Sequence, residues 1–189
     1  MSARGRPRDP TVEAAVIDAT LAELAAHGFD GMTIDGIATR AGVSKPTIYR
    51  RWADKPALAI SAIAQLVAQE EGPPSTGDLV GDLTRQLAAA HHNLELSGSV
   101  PMLGTVLATR DRHPELLQLY RERLLRPRRR ILLGILRDAQ RRGEIHGDAD
   151  LEMASLALIG LLVAGYLAGE DVDRRWLRPG VVLVVAGLR

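Results

Sequence analysis

The sequence predicts an all-α fold, with an N-terminal three-helix unit followed by a longer helical bundle, about nine helices in total. Three observations lead there. Apolar residues recur three and four apart in almost every segment of the 189-residue chain, the spacing of one helix face. Hydrophobic residues make up 46% of the chain but aromatics only 3%, so the core must be built from Leu, Val, Ile and Ala. The β-branched run Val181 to Val185 is the one strand-like stretch, and a lone strand has nothing to pair with.

The length is enough to bury a full core. Cysteine is absent, which excludes disulfide frameworks, thiolate metal sites and cysteine nucleophiles, and makes a reducing cytoplasm the simplest setting. The net charge of +1 conceals local asymmetry, because basic residues gather in Arg4 to Arg8, Arg40 to Lys55 and Arg121 to Arg142. An anionic partner therefore meets patches. No apolar run with a small-residue cleavage site follows the N-terminal arginines, so no signal peptide is expected.

Met1 to Pro10 carries Arg4, Arg6 and Arg8 among Gly and Pro, with nothing to bury, and is expected to be disordered when alone. Thr11 to His27 reads as a first helix: Val12, Val16, Ala19, Ile17, Leu21 and Leu24 form a broad apolar face, and Gly28 stops it. Phe29 packs beneath. Thr33 caps a second helix that runs to about Arg40 with Ile34, Ile37 and Ala38 at helical spacing. Gly42 then supplies a sharp turn, Val43 a staple into the core, and Ser44 the N-cap of a third helix held by Ile48 and ended by Trp52-Ala53-Asp54. Asp54 caps a fourth helix, Lys55 to Glu70, with Leu58, Ile60, Ile63, Leu66 and Val67 buried.

Gly72 to Gly77 is the clearest loop and a seam between subdomains. Asp78 to Leu96 gives a helix with Leu79, Leu83, Leu87 and Leu94 inward, and Val100 to Arg110 a shorter one. Pro114 to about Arg142 gives a long helix interrupted or kinked at Pro127, whose Arg126 to Arg130 cluster reads chiefly as a solvated face. Leu151 to Gly169 and Arg174 to Leu188 are the last two. Met153 to Gly169 has no charge and approaches the length of a membrane span, but acidic residues flank it, so a fully buried helix is the preferred reading.

Two short helices joined by a glycine turn form a helix-turn-helix, which lays its second helix in the DNA major groove. Beside such a unit the Arg4, Arg6, Arg8 segment fits an arm that follows the minor groove. The run Thr33, Ile37-Ala38, Ala41-Gly42-Val43-Ser44, Thr47-Ile48-Tyr49, Trp52 and Lys55-Pro56-Ala57-Leu58 resembles the DNA-binding domain of the TetR family of bacterial transcriptional repressors, with Trp52 in place of the commoner Phe. His27-Gly28-Phe29 reinforces the match, which covers roughly the first third of the chain.

The resemblance implies that Thr33 and Tyr49 donate hydroxyl hydrogen bonds to phosphates, with Lys55 and the fourth helix's N-terminus gripping another. It implies that Lys45, Pro46, Thr47 and Arg50 face the bases, Lys45 toward guanine and the Pro46 and Thr47 carbons toward thymine methyls. Arg40 and Arg51 are ambiguous. One head buries too little surface for tight binding, so a homodimer on an inverted-repeat operator in double-stranded DNA is expected. Gly160, Ala164 and Ala168, at intervals of four, with Gly165 adjoining, are the candidate interface.

The resemblance also implies that residues 57–189 form an effector-binding and dimerisation domain behind a 1–9 arm and a 10–56 DNA-binding domain. Candidate contacts to a small-molecule effector are His91, Met102, Leu103, Tyr120 and Tyr166, although each residue type is more often core. The expected protein is thus a cytoplasmic, nucleoid-associated repressor released by ligand. The rivals are an enzyme, an effector-independent DNA-binding protein and an activator. No phosphate loop, nucleophile elbow or zinc-helix motif is present, and adjacent His91 and His92 point apart on a helix, so no catalytic residue, cofactor or metal site is expected.

Overall fold

A computed structural model gives the fold and describes residues 10–68, 76–96, 99–108 and 110–189. The order is α1 (Pro10–Gly31), α2 (Ile34–Ala41), α3 (Lys45–Tyr49), α4 (Lys55–Ala68), α5 (Leu79–Leu96), α6 (Ser99–Ala108), α7 (Pro114–Tyr120), a π-helical turn (Arg121–Leu125), α8 (Arg126–Arg141), α9 (Leu151–Ala168) and α10 (Arg174–Ala186). Since α7, the π turn and α8 run end to end, the described residues form nine continuous rods, as the periodicity predicts. Val181 to Val185 lies inside α10. The arm with Arg4, Arg6 and Arg8, most of the Gly72 to Gly77 seam, and the side chains of Leu66, Val67 and Leu94 lie outside the described residues.

The helix ends follow local chemistry. Gly28 breaks α1 with φ 66° and ψ 179°. The Thr33 hydroxyl oxygen accepts the Gly36 N–H at 3.0 Å and starts α2. Gly42 ends α2 at φ 66°, ψ 32°, a left-handed conformation costly for any residue with a Cβ, and this turns the chain sharply into α3. Asp54, Asp78, Asp150 and Asp173 cap the four helices that follow them through carboxylates accepting from Ala57, Gly81, Met153 and Trp176 N–H groups. Ser44 behaves differently. It sits at the N-cap of α3, but its hydroxyl meets the Thr47 hydroxyl at 3.0 Å rather than a backbone N–H.

Two apolar cores result. The first joins Val16, Ile17 and Leu24 of α1, Ile37 and Ala38 of α2, Ile48 and Trp52 of the α3 segment, and Leu58 to Ile63 of α4, and it continues into Val106, Leu116 and Leu124. The second joins α5, α8, α9 and α10 through residues such as Leu83, Leu87, Leu136, Leu158, Leu162, Leu177 and Val181. Helix α4 is buried on most sides. It packs on α1 within the head and on α6, α7 and the π turn beyond it.

The interruption expected at Pro127 is a π turn, and two other sequence expectations change. Pro127 sits in the first turn of α8, and the preceding turn widens so that the Arg126 N–H reaches the Arg121 carbonyl, five residues back. Pro127 has no N–H to give and its ring would crowd the carbonyl four residues before it, which the wider turn relieves. The Arg126 to Arg130 cluster is not uniformly solvated: Arg128 is 6% exposed, and Arg129 reaches across to Ser155 and Glu152 of α9. Finally, α9 is not a fully buried helix, for only 33% of it is buried within the chain.

Candidate nucleic-acid interface and effector cavity

Helices α2 and α3 are anchored from beneath by Ile37, Ala38, Ile48 and Trp52, all buried, so the opposite side of α3 faces outward. Lys45, Pro46, Tyr49 and Arg50 are exposed there and Thr47 partly so, with Thr33 exposed at the head of α2. Tyr49 shows 51% of its surface, unusual for so large an aromatic without a role outside the chain. Thr33 uses its oxygen as a helix cap, which leaves its hydroxyl hydrogen to donate outward.

Three of the basic residues, Lys45, Lys55 and Arg40, have partners within the chain. The Lys45 ammonium lies 2.5 Å from an Asp35 carboxylate oxygen, and this hydrogen bond and charge hold the ammonium above lysine's usual value. Asp35 therefore sits on the reading face, a partner that residue types alone did not reveal; the ten-residue separation spans the turn, which is the only clue in the sequence. Lys55 bridges the head instead of standing free: its ammonium donates to the Asp30 carbonyl at 3.1 Å and the Met32 carbonyl at 3.0 Å, 4.8 Å from the Phe29 ring centre. It ties the end of α1 to the start of α4. The first-turn N–H of Ala57 is likewise taken by Asp54 at 2.8 Å. Arg40 reaches the buried Glu23 of α1 at 3.4 Å, pinning α2 to α1.

A cavity of about 30 Å³ opens between the two cores, lined by Leu103 of α6, Tyr120 of α7, Leu124 and Leu125 of the π turn, Arg128 of α8, and Ile159, Leu162 and Val163 of α9. Leu103 and Tyr120 are among the sequence candidates. His91 and Tyr166 are not in the lining: His91 lies on α5, and Tyr166 is 47% exposed on α9. The Met102 side chain lies outside the described residues. Arg128 and the π-turn leucines were not anticipated, because an arginine run on an amphipathic helix reads as solvated. Burial pushes the Tyr120 phenol up from its ordinary value while the Arg128 charge pulls against it, so the phenol stays protonated and can donate.

Away from the second core, α9 exposes Met153, Leu156, Gly160, Ala164, Leu167 and Ala168 along one stripe, and α10 exposes Val182 and Leu183. Gly165 is not on that stripe. A Cβ there would lie 2.6 Å from Val172 Cγ2 and 2.9 Å from the Trp176 ring, so Gly165 allows a close approach within the chain instead of between chains.

An outward-facing recognition helix on a braced three-helix head, coupled through α4 to an all-helical domain with its own cavity, defines a helix-turn-helix DNA-binding regulator. Residues 16–62 match the family model for bacterial regulatory proteins of the tetR family, and residues 73–184 match that for the tetracyclin repressor-like C-terminal domain. The chain belongs to the TetR family of transcriptional regulators. It is 30% identical over 190 residues to the HTH-type transcriptional regulator YdeS of Bacillus subtilis, covering 100% of this chain and 95% of that one. It is 26% identical over 186 residues to the regulator AqdR of Rhodococcus erythropolis, covering 97% and 88%. The solved TetR family regulator SCO0332 superposes with a TM-score of 0.75 at 28% identity, covering 94% of this chain and 98% of that one.

Proposed function

We propose that the chain is a repressor that binds an inverted-repeat operator as a homodimer and leaves it when a small molecule occupies the cavity between its cores. Residues 1–9 act as the minor-groove arm, 10–56 as the reading head, and 57–189 as the effector-binding and dimerisation domain; no catalysis is assigned. In the interface, Thr33 and Tyr49 hydrogen-bond phosphates, Lys45, Pro46, Thr47 and Arg50 meet base edges, and Arg4, Arg6 and Arg8 follow the adjacent minor groove. Lys55, whose ammonium has a third donor beyond those serving Asp30 and Met32, grips a flanking phosphate together with the α4 N-terminus.

The observation that carries this reading is the continuity of the first core. Ile48 under the recognition helix, Leu58 to Ile63 of α4 and Leu124 beside the cavity belong to one packed cluster. Packed interiors respond to a displaced side chain by shifting, not by compressing. A ligand that enlarges the cavity moves Leu124 and α4, and with them the heads. Its effect on DNA equals the difference in its affinity for the two arrangements. The apolar stripes of α9 and α10 support the homodimer, because contiguous exposed Leu, Met and Val surface marks an interaction face.

Selection of genomic fragments on the purified chain tests the proposal. Recovery of a shared inverted repeat, bound with an affinity that falls steeply with salt, is expected. Recovery of no common sequence would overturn it.

A further inference from the structure

We infer that Asp35 is a specificity-determining residue: with Lys45 it forms a paired acceptor and donor that reads one G·C base pair, the ammonium on guanine and the carboxylate on the cytosine amino group. This rests on the reading of the chain as an operator-binding regulator, and it adds a base contact from α2 to those of α3.

Asp35 stands in the first turn of α2, but the Thr33 hydroxyl already caps that helix. Asp54, Asp78, Asp150 and Asp173 use their carboxylates on backbone N–H groups at helix starts, whereas Asp35 reaches across the turn to the first residue of α3. Its oxygen lies 2.5 Å from the Lys45 ammonium, with the Asp35 side chain 69% exposed and that of Lys45 52%. A pair this open to water contributes little to stability. On a surface that meets phosphates, an unanswered carboxylate also weakens binding. Asp35 therefore lowers affinity for DNA at large unless a group in the groove donates to it.

The major groove offers such donors in the amino groups of cytosine and adenine, and Lys45 decides between them. Asp35 takes one of the ammonium's N–H groups, and those that remain suit guanine N7 and O6. In a G·C pair the cytosine amino group stands beside guanine O6. Acceptors and donor thus follow one another in the order in which Lys45 and Asp35 present their opposites. The Lys45 bond uses only part of the carboxylate's acceptor capacity, which leaves lone pairs for the amino group. Thr47 does not compete, because its hydroxyl already meets that of Ser44 at 3.0 Å. In an A·T pair the thymine O4, an acceptor, would stand where the cytosine amino group was and repel the carboxylate.

The test uses the full chain and its selected operator. Each base pair of the half-site is substituted in turn, and binding is read by fluorescence anisotropy at fixed salt for the wild type, Asp35→Ala, Asp35→Asn and Lys45→Ala. In the wild type, changing one G·C pair to A·T is expected to weaken binding about tenfold. Asp35→Ala should cut that penalty to about threefold and leave those at other pairs unchanged. Asp35→Asn, whose amide can donate to thymine O4, should bind the A·T operator better than Asp35→Ala does. Lys45→Ala should relax preference at the same pair. Replacing its cytosine by pyrimidin-2-one, which lacks the amino group, should weaken the wild type and leave Asp35→Ala unaffected. Circular dichroism checks that each variant keeps its helices.

A uniform loss of affinity for all duplexes on Asp35→Ala, the mark of a residue that only steadies α2, would overturn the inference. So would unchanged penalties at every pair, or a change confined to an A·T pair. A wild type indifferent to pyrimidin-2-one would make Asp35 a positioning residue for Lys45 and overturn the base contact. In all these outcomes the operator complex itself still stands. Failure of the wild type to bind any operator would instead overturn the regulator reading, and this inference with it.

Discussion

Replacing Leu167 and Leu183 together by Glu should convert the proposed dimer to monomer. These leucines are 77% and 75% exposed on α9 and α10. Fully burying a leucine side chain stabilises by about 1.5–3 kcal/mol. Scaled by the exposed fraction, each contributes about 1–2 kcal/mol if a partner covers it. A two-fold interface uses each residue twice, so four side chains together give about 4–9 kcal/mol, before any cost of burying glutamates. At about 1.4 kcal/mol per tenfold, that weakens dimerisation about a thousandfold or more. Sedimentation velocity across a concentration series reads the change. Circular dichroism of the variant checks that its helices persist, because neither leucine belongs to the chain's own buried core. A doubly substituted protein that still sediments as a dimer at the wild-type concentrations would refute the assignment of these stripes to the interface.

Further outcomes follow from the same geometry. Tyr49→Phe should weaken binding to all duplexes alike, whereas Lys45→Ala should chiefly relax base preference; binding to a panel of operator variants separates the two, and equal loss of discrimination in both contradicts the roles. Asp35→Asn, which removes a carboxylate from the reading face and releases Lys45, should raise affinity for unrelated duplexes as measured at fixed salt. Lys55→Met should lower head stability by about 1–3 kcal/mol in thermal melts, since two carbonyls lose a charged donor. Gly165→Ala should cost about 1–3 kcal/mol by overpacking against Val172 and Trp176. Gly160→Phe should leave monomer stability intact and impair dimer formation, because no atom within the chain approaches its Cβ position.

What could be read from residue order is what short-range chemistry decides. The Thr33 cap, the Gly42 turn and the Ile37, Ile48 and Trp52 anchors lie within a few residues of the features they shape, so the helix-turn-helix was legible. Helix count was legible for the same reason, because periodicity is local. What escaped depends on neighbours far along the chain. The second task of Lys55, tying Asp30 and Met32 to the start of α4, shows only once the end of α1 brings those carbonyls to it. Arg128 reads as solvated until the fold buries it beside a cavity that Leu103 of α6 and Leu162 of α9 also line. Gly165 reads as part of a small-residue stripe until Val172 and Trp176 fold back on it. Ser44 kept its place at the α3 cap, yet its hydroxyl chose Thr47, because two side chains on one turn compete with the backbone for the same oxygen.

If two reading heads, spaced by α9 and α10, read one inverted repeat together, the affinity of the chain for the selected operator and for a single half-site duplex over a range of salt will differ. The full repeat should bind far more tightly than the half-site, with a log–log salt slope about twice as steep, since two heads displace twice the counterions. Equal affinities and equal slopes for the two duplexes would contradict joint reading by two heads.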